Sequence, residues 1–110
     1  MEFGDLKLAD GEIVRILLTE QGASVVVVDH REECYFVAFG DVIGLESWGL
    51  PGAALSGVSE TASDPSIAFA CDMADEPTEH YRCFSFIGAG SGKPVLKIVS
   101  ADVIVTETTR

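Results

Sequence analysis

The sequence predicts a mainly β fold: a single-domain antiparallel β-sandwich or partly open barrel of about seven or eight short strands, spanning residues 1–110. Three observations carry this. Short runs rich in Val, Ile, Tyr and Phe recur along the chain and are separated by Gly, Pro and Asp turns. No window sustains apolar residues at i, i+3, i+4 and i+7, so at most one short helical turn is expected and no long helix can cover a sheet. The third is the stretch 24–40, SVVVVDHREECYFVAFG, whose two β-branched and aromatic runs flank a charged turn and read as a hairpin.

Pairing that hairpin about the loop Asp29-His30-Arg31-Glu32 sets Val28 against Glu33, Val27 against Cys34, Val26 against Tyr35 and Val25 against Phe36. Side chains alternate across a strand. One face then carries Val25, Val27, Cys34, Phe36 and Ala38, and the other carries Val26, Val28, Tyr35, Val37 and Phe39. Both faces are apolar, so both need cover. A sandwich buries only one face of each sheet. The second must meet a bend of the sheet, a local segment such as the Trp48 loop, or another chain. The expectation is a homodimer interface formed by Val26, Val28, Tyr35, Val37 and Phe39.

Taken in order, residues 2–8 are a short strand with Phe3, Leu6 and Leu8 as its apolar content, closed by the turn signal Asp10-Gly11. Residues 12–19 (EIVRILLT) return as a second strand, and Gln21-Gly22 turns into the central hairpin. Gly40 marks a bulge or bend, with the strand running on toward Glu46 or ending in a helical turn. Trp48-Gly49-Leu50-Pro51-Gly52 is a loop, with Trp48 folding back as a lid on the core. Residues 54–60 form a weaker strand before the turn Ser63-Asp64-Pro65. Residues 66–71 (SIAFAC) alternate as a strand, 72–79 form an acidic loop, and 80–87 (HYRCFSFI) form the next strand. There Tyr81 and Cys83 share one face, with Arg82, Phe84 and Phe86 on the other. After a glycine-rich connector, residues 95–99 and 102–106 are the last strands, joined through Ser100-Ala101, and the tail 107–110 frays.

The formal charge of −11 comes from 18 acidic residues against 7 Lys and Arg. The basic residues do not cluster, which leaves no footprint for nucleic acid, and an anionic membrane surface repels such a chain. Favoured partners are cations or basic proteins. No apolar run approaches the ~20 residues of a spanning helix, and the acidic start lacks the basic and apolar regions of a leader. Three widely spaced cysteines, Cys34, Cys71 and Cys83, fit buried thiols in a reducing compartment. A cytoplasmic location is expected.

No motif specifies a reaction. GAGSGK at 88–93 misses the P-loop pattern, because its first glycine would fall on Ile87 and Pro94 stands where Ser or Thr is needed. It also misses the dinucleotide fingerprint, whose third glycine would fall on Lys93. The acids Asp72, Asp75, Glu76 and Glu79 lack a glycine to tighten them into a calcium loop, and Pro77 stiffens the segment. His30 and His80 are not at metal-ligand spacing from any cysteine or from each other. Glu33 beside the central hairpin reads as a strand-end charge reaching solvent. No cofactor and no metal are expected.

The runs 34–42 (CYFVAFGDV) and 95–105 (VLKIVSADVIV) resemble, in size, charge and strand pattern, small β-rich bacterial domains without assigned activity. Some proteins of similar size and acidity are immunity proteins that neutralise toxins. The resemblance transfers no functional residue. The reading is a non-enzymatic, acidic interaction protein that self-associates and suits a basic protein partner. The alternative is a small-ligand or enzymatic barrel with Tyr35, His80, Tyr81 and Arg82 converging at its mouth.

Overall fold

Two three-strand units join side by side into one open antiparallel sheet in this computed structural model, which describes residues 1–49 and 52–108. The first unit comprises β1 (Glu12–Thr19), β2 (Gly22–Val28) and β3 (Cys34–Ser47). The second comprises β4 (Leu55–Thr61), β5 (Arg82–Gly88) and β6 (Pro94–Thr108). The long strands β3 and β6 pair at the centre, giving the order β1-β2-β3-β6-β5-β4. One helix, α1 (Pro65–Ala74), lies between β4 and β5 in the chain, and 3-10 turns occupy Phe3–Asp5 and Thr78–His80. The fold is therefore mainly β, as expected, with six strands and one helix. The loop expected at Leu50 and Pro51 and the frayed end expected at Thr109 and Arg110 lie outside the described residues.

Three corrections account for the smaller strand count. Residues 2–8 do not pair as a strand: Phe3–Asp5 is a 3-10 turn, fixed by a hydrogen bond from the Glu2 amide to Asp5 Oδ2 at 3.0 Å. The alternation in SIAFAC is helix, not strand. Asp64 caps it by accepting the Ser66 amide at 2.8 Å, and Pro65 occupies the first turn, where its missing N–H costs nothing. Ile67, Ala70 and Cys71 then fall on one buried stripe. Finally, the two closing strands are the single strand β6. Ser100 does not break it, because its hydroxyl spans Gly40 O at 2.6 Å and Asp102 O at 2.7 Å.

Both long strands bend at that point. Asp41 adopts φ 53, and the β3–β6 register shifts between Val42 and Gly44. On β3 the core positions change from Val37 and Phe39 to Val42 and Leu45, and on β6 from Val105 and Val103 to Ile98 and Leu96. A bulge increases local twist, and here it brings the outer edges of the sheet toward each other. Glu12 bridges Ala54, Asp10 N–H donates to Leu55 O, and Leu55 N–H donates to Gly11 O. Gly11 sits so close to β2 that an added Cβ would lie 2.3 Å from Val28 O, which no side chain tolerates.

The core fills the concave side. Phe3 meets Phe84, Phe86 and Phe39 edge-on with ring centroids 5.1, 5.5 and 6.1 Å away. Leu6 and Leu8 follow it into the same cluster with Ile13, Val25, Val27, Leu55, Leu96 and Ile98. The leading segment thus supplies a plug in place of a strand. On the other face of the sheet, α1 covers only part of the surface: Ile67, Ala70 and Cys71 pack on Tyr81, Cys83 and Val99.

The hairpin loop corrects the expected register by one residue. Val28 pairs with Cys34, Val27 with Tyr35, Val26 with Phe36 and Val25 with Val37. The cause is Asp29, whose side chain is buried and whose Oδ1 accepts the amides of Arg31 and Glu33, each at 2.9 Å. Glu32 adopts φ 66, completing a loop one residue longer than assumed. Burial alone would raise the Asp29 pKa, but the Glu33 and Arg31 amides and the Arg31 guanidinium outweigh it and hold the carboxyl below its usual range. At Asp64, likewise, the Ser66 amide and the Lys97 ammonium override burial and lower the pKa. A carboxylate depressed in the folded state stabilises above its unfolded pKa, and that stability drains as pH falls through the folded value. Chemical denaturation followed by circular dichroism should therefore show constant stability from neutral pH to about 5 and a decline below about 4. Asp29→Ala should cost about 2 kcal/mol at neutral pH and flatten that decline.

Candidate functional site

The register places three rows of side chains across β1, β2, β3 and the last part of β6, on the face that turns away from the core. Arg15, Val26, Phe36 and Thr106 form one row; Leu17, Ser24, Ala38 and Ile104 form the next. Glu12, Val28, Cys34 and Thr108 form a third at the hairpin end. The pattern follows from alternation: Val25, Val27, Tyr35, Val37 and Phe39 point into the core, so their neighbours point out. Helix α1 lies over β5, the first half of β6 and the end of β3 beyond Gly40, and leaves these rows uncovered. Leu17 is 54%, Phe36 38% and Ile104 66% exposed. Val26 and Ala38 between them are half-buried. The centre of this face is thus apolar, with Arg15 on its β1 side and Asp102 on its β6 side.

The five residues expected to form an interface do not share a surface. Tyr35, Val37 and Phe39 are buried in the core cluster, whereas Val26 and Val28 lie on the opposite face. The one-residue change of register is the whole reason, since a slip of one exchanges the two faces of a strand. Of the expected set only Val26 belongs to the open apolar centre, and Val28 is buried at its margin. Phe36 and Ala38 were assigned to the other side; Leu17 and Ile104 lie on strands whose pairing partners the sequence did not specify. The signal that finds them is Asp29 itself, a residue that favours capping turns with its own side chain.

The four residues of the alternative site are also apart. Tyr35 belongs to the core cluster, while Tyr81 belongs to the cluster beneath α1. Tyr81 donates from its hydroxyl to Asp41 Oδ2 at 3.0 Å; burial first, and then this carboxylate, pushes its pKa up to about 12. Arg82 points outward and pairs with Glu60 at 2.6 Å. His80 is exposed in the 3-10 turn.

Among the described residues, no three His, Cys, Asp or Glu side chains converge as a metal ion would require. The acidic segment is divided: Asp72 lies in the last turn of α1, Asp75 caps the helix at φ 56, and the Glu76 amide donates to Cys71 O. All three cysteines are buried, and burial pushes the Cys71 and Cys83 thiols up, away from the reactive thiolate. Residues 88–93 close the β5–β6 hairpin, with Gly88 N–H on Lys93 O and Gly92 N–H on Gly88 O. Glu33 is exposed at the strand end. Trp48 stays 53% exposed, its amide held by Val95 O. Among the described residues, no helix is long and apolar enough to cross a membrane. Comparison with protein-family models, curated proteins and solved structures gives no match.

Proposed function

We propose that this chain is a non-enzymatic, acidic interaction protein that forms a homodimer through the open face of β1, β2, β3 and the adjoining part of β6, leaving its remaining acidic surface to a basic protein partner. The observation that supports it best is the uncovered apolar centre formed by Leu17, Val26, Phe36, Ala38 and Ile104. A two-fold axis parallel to the strands lays β1 of one copy across β6 of the other. That arrangement sets Arg15, a base on this face, over the strand that carries Asp102. Self-complementarity of this kind is what a two-fold interface needs.

The size of the face sets the affinity. Four strands and about seven residues along each give roughly 19 by 23 Å. That is comparable with the largest apolar patches of monomers, at about 300–600 Å², and below the ~800 Å² per partner of a standard interface. The expected dimer is therefore reversible, with a dissociation constant on the order of micromolar. Two copies at −11 repel each other, so added salt should tighten self-association by screening. Sedimentation equilibrium at about 0.05 M and about 0.5 M NaCl tests both points. A monomer at every concentration and salt would end this reading. Binding of a basic partner to the acidic surface responds to salt in the opposite sense, which separates the two kinds of contact.

A further inference from the structure

We propose that the free edge of β3, over residues 42–47, accepts an extended, positively charged segment of a partner protein as an added strand. One apolar side chain of that segment would sit in the groove beside α1. This site is separate from the self-association face and does not depend on it.

The edge arises from the topology. Strand β2 pairs with β3 only as far as Gly22 opposite Gly40, whereas β6 follows β3 to Ser47. Beyond Asp41, one side of β3 is therefore bonded to β6, and among the described residues no strand pairs with the other. Six residues of extended chain present about 20 Å of backbone donors and acceptors. Edges of this kind are usually blunted with Lys or Pro or kept very short. The run VIGLES has neither Lys nor Pro. Its one charged residue is Glu46, which is exposed.

A side-chain receptacle lies against the same segment. A groove of about 260 Å³ runs between residues 43–46 and α1, walled by Phe69 and Met73. These two stand at i and i+4 on one flank of the helix and are 71% and 74% exposed, although both are large and apolar. Gly44 allows the helix to approach here: an added Cβ would lie 3.0 Å from Ala70 Cβ. Main-chain bonds to an edge with a pocket for alternate side chains are the two parts of strand addition.

Charge selects the occupant. Lys97, which also lines the groove, stands opposite Glu46 across the β3–β6 ladder and pairs with Asp64 at 3.0 Å, so two acids meet one base here and the local balance is negative. A second copy pairing antiparallel about Gly44 would bring Asp41 and Glu46 of both chains to one seam, in molecules each carrying −11. A cationic segment meets the same edge with attraction.

The test uses the full chain, isotopically labelled for NMR, and an acetylated peptide of about nine residues that alternates valine with lysine. Two control peptides carry glutamate for lysine, or N-methyl groups on the amides that would bond the edge. The expected result is saturable binding of the cationic peptide, with amide shifts and slowed exchange confined to residues 42–47, Phe69 and Met73. N-methylation should weaken binding by about tenfold or more, and the acidic peptide should not bind. Glu46→Lys and Phe69→Ser, both surface changes, should each weaken it about fivefold with an unchanged far-ultraviolet spectrum. Equal binding of the N-methylated peptide, shifts spread over the acidic residues elsewhere, or no saturable binding would overturn the proposal. Repeating the titration in a Phe36→Glu background separates this outcome from that of the self-association reading.

Discussion

Phe36→Glu is expected to abolish self-association, giving a monomer at every concentration that light scattering can reach, with the fold intact. Phe36 sits between Val26 and Thr106 near the middle of the open face. Burying a phenyl ring at an interface contributes about 2–3 kcal/mol. Placing a carboxylate there adds an unpaired buried charge in each of two copies, at several kcal/mol each. Relative to a micromolar dimer, the combined loss exceeds a thousandfold in affinity by the relation of about 1.4 kcal/mol per decade. The residue is already partly exposed in the monomer, so its fold should lose less than about 1 kcal/mol. Ile104→Glu, two residues along β6 and more exposed, should act in the same way. A Phe36→Glu protein that still dimerises would move the interface off this face.

Phe3→Ala is expected to be the most damaging single substitution outside the interface, at about 3–5 kcal/mol of folding stability. Phe3 is almost fully buried and makes ring contacts with Phe39, Phe84 and Phe86, which come from β3 and β5. It therefore ties the leading segment to both halves of the sheet. A chain of this size has about 5–15 kcal/mol in total, so the melting temperature should fall by well over 10 °C. Differential scanning calorimetry measures it. A loss below about 1 kcal/mol would mean that the leading segment is not a structural plug.

Alternation, where sustained, was legible in the sequence. It located β1, the central hairpin, β5 with Phe84 and Phe86 opposed to Tyr81 and Cys83, and the continuation of β3 past Gly40. Three features were decided by single polar side chains instead. Asp29 lengthened the hairpin loop and thereby exchanged its faces. Asp64, followed by Pro65, started a helix in a run whose Ile67, Phe69 and Cys71 also alternate as a strand would. Ten residues are too few for a helical period to outweigh such alternation. Ser100 carried β6 through a bend that reads as a break.

The candidate face inherited the first of these errors. Its central premise, that the hairpin has two apolar sides and the chain has too little helix to cover both, matches the observed layout. One side is core, and part of the other is bare. Which residues are bare depended on the parity set by Asp29. The exposed flank of α1 was invisible from the sequence for a related reason: Phe69 was placed in a strand, where it has no relation to the β3 edge.

The most direct measurement is an isotope-filtered NMR experiment on an equimolar mixture of labelled and unlabelled chains at high concentration. Intermolecular contacts are predicted between Leu17 of one copy and Ile104 of the other, and between Val26 of one copy and Phe36 of the other, disappearing on dilution. Sharp, concentration-independent Ile104 and Leu17 methyl signals that remain fully accessible to a soluble paramagnetic probe would contradict it.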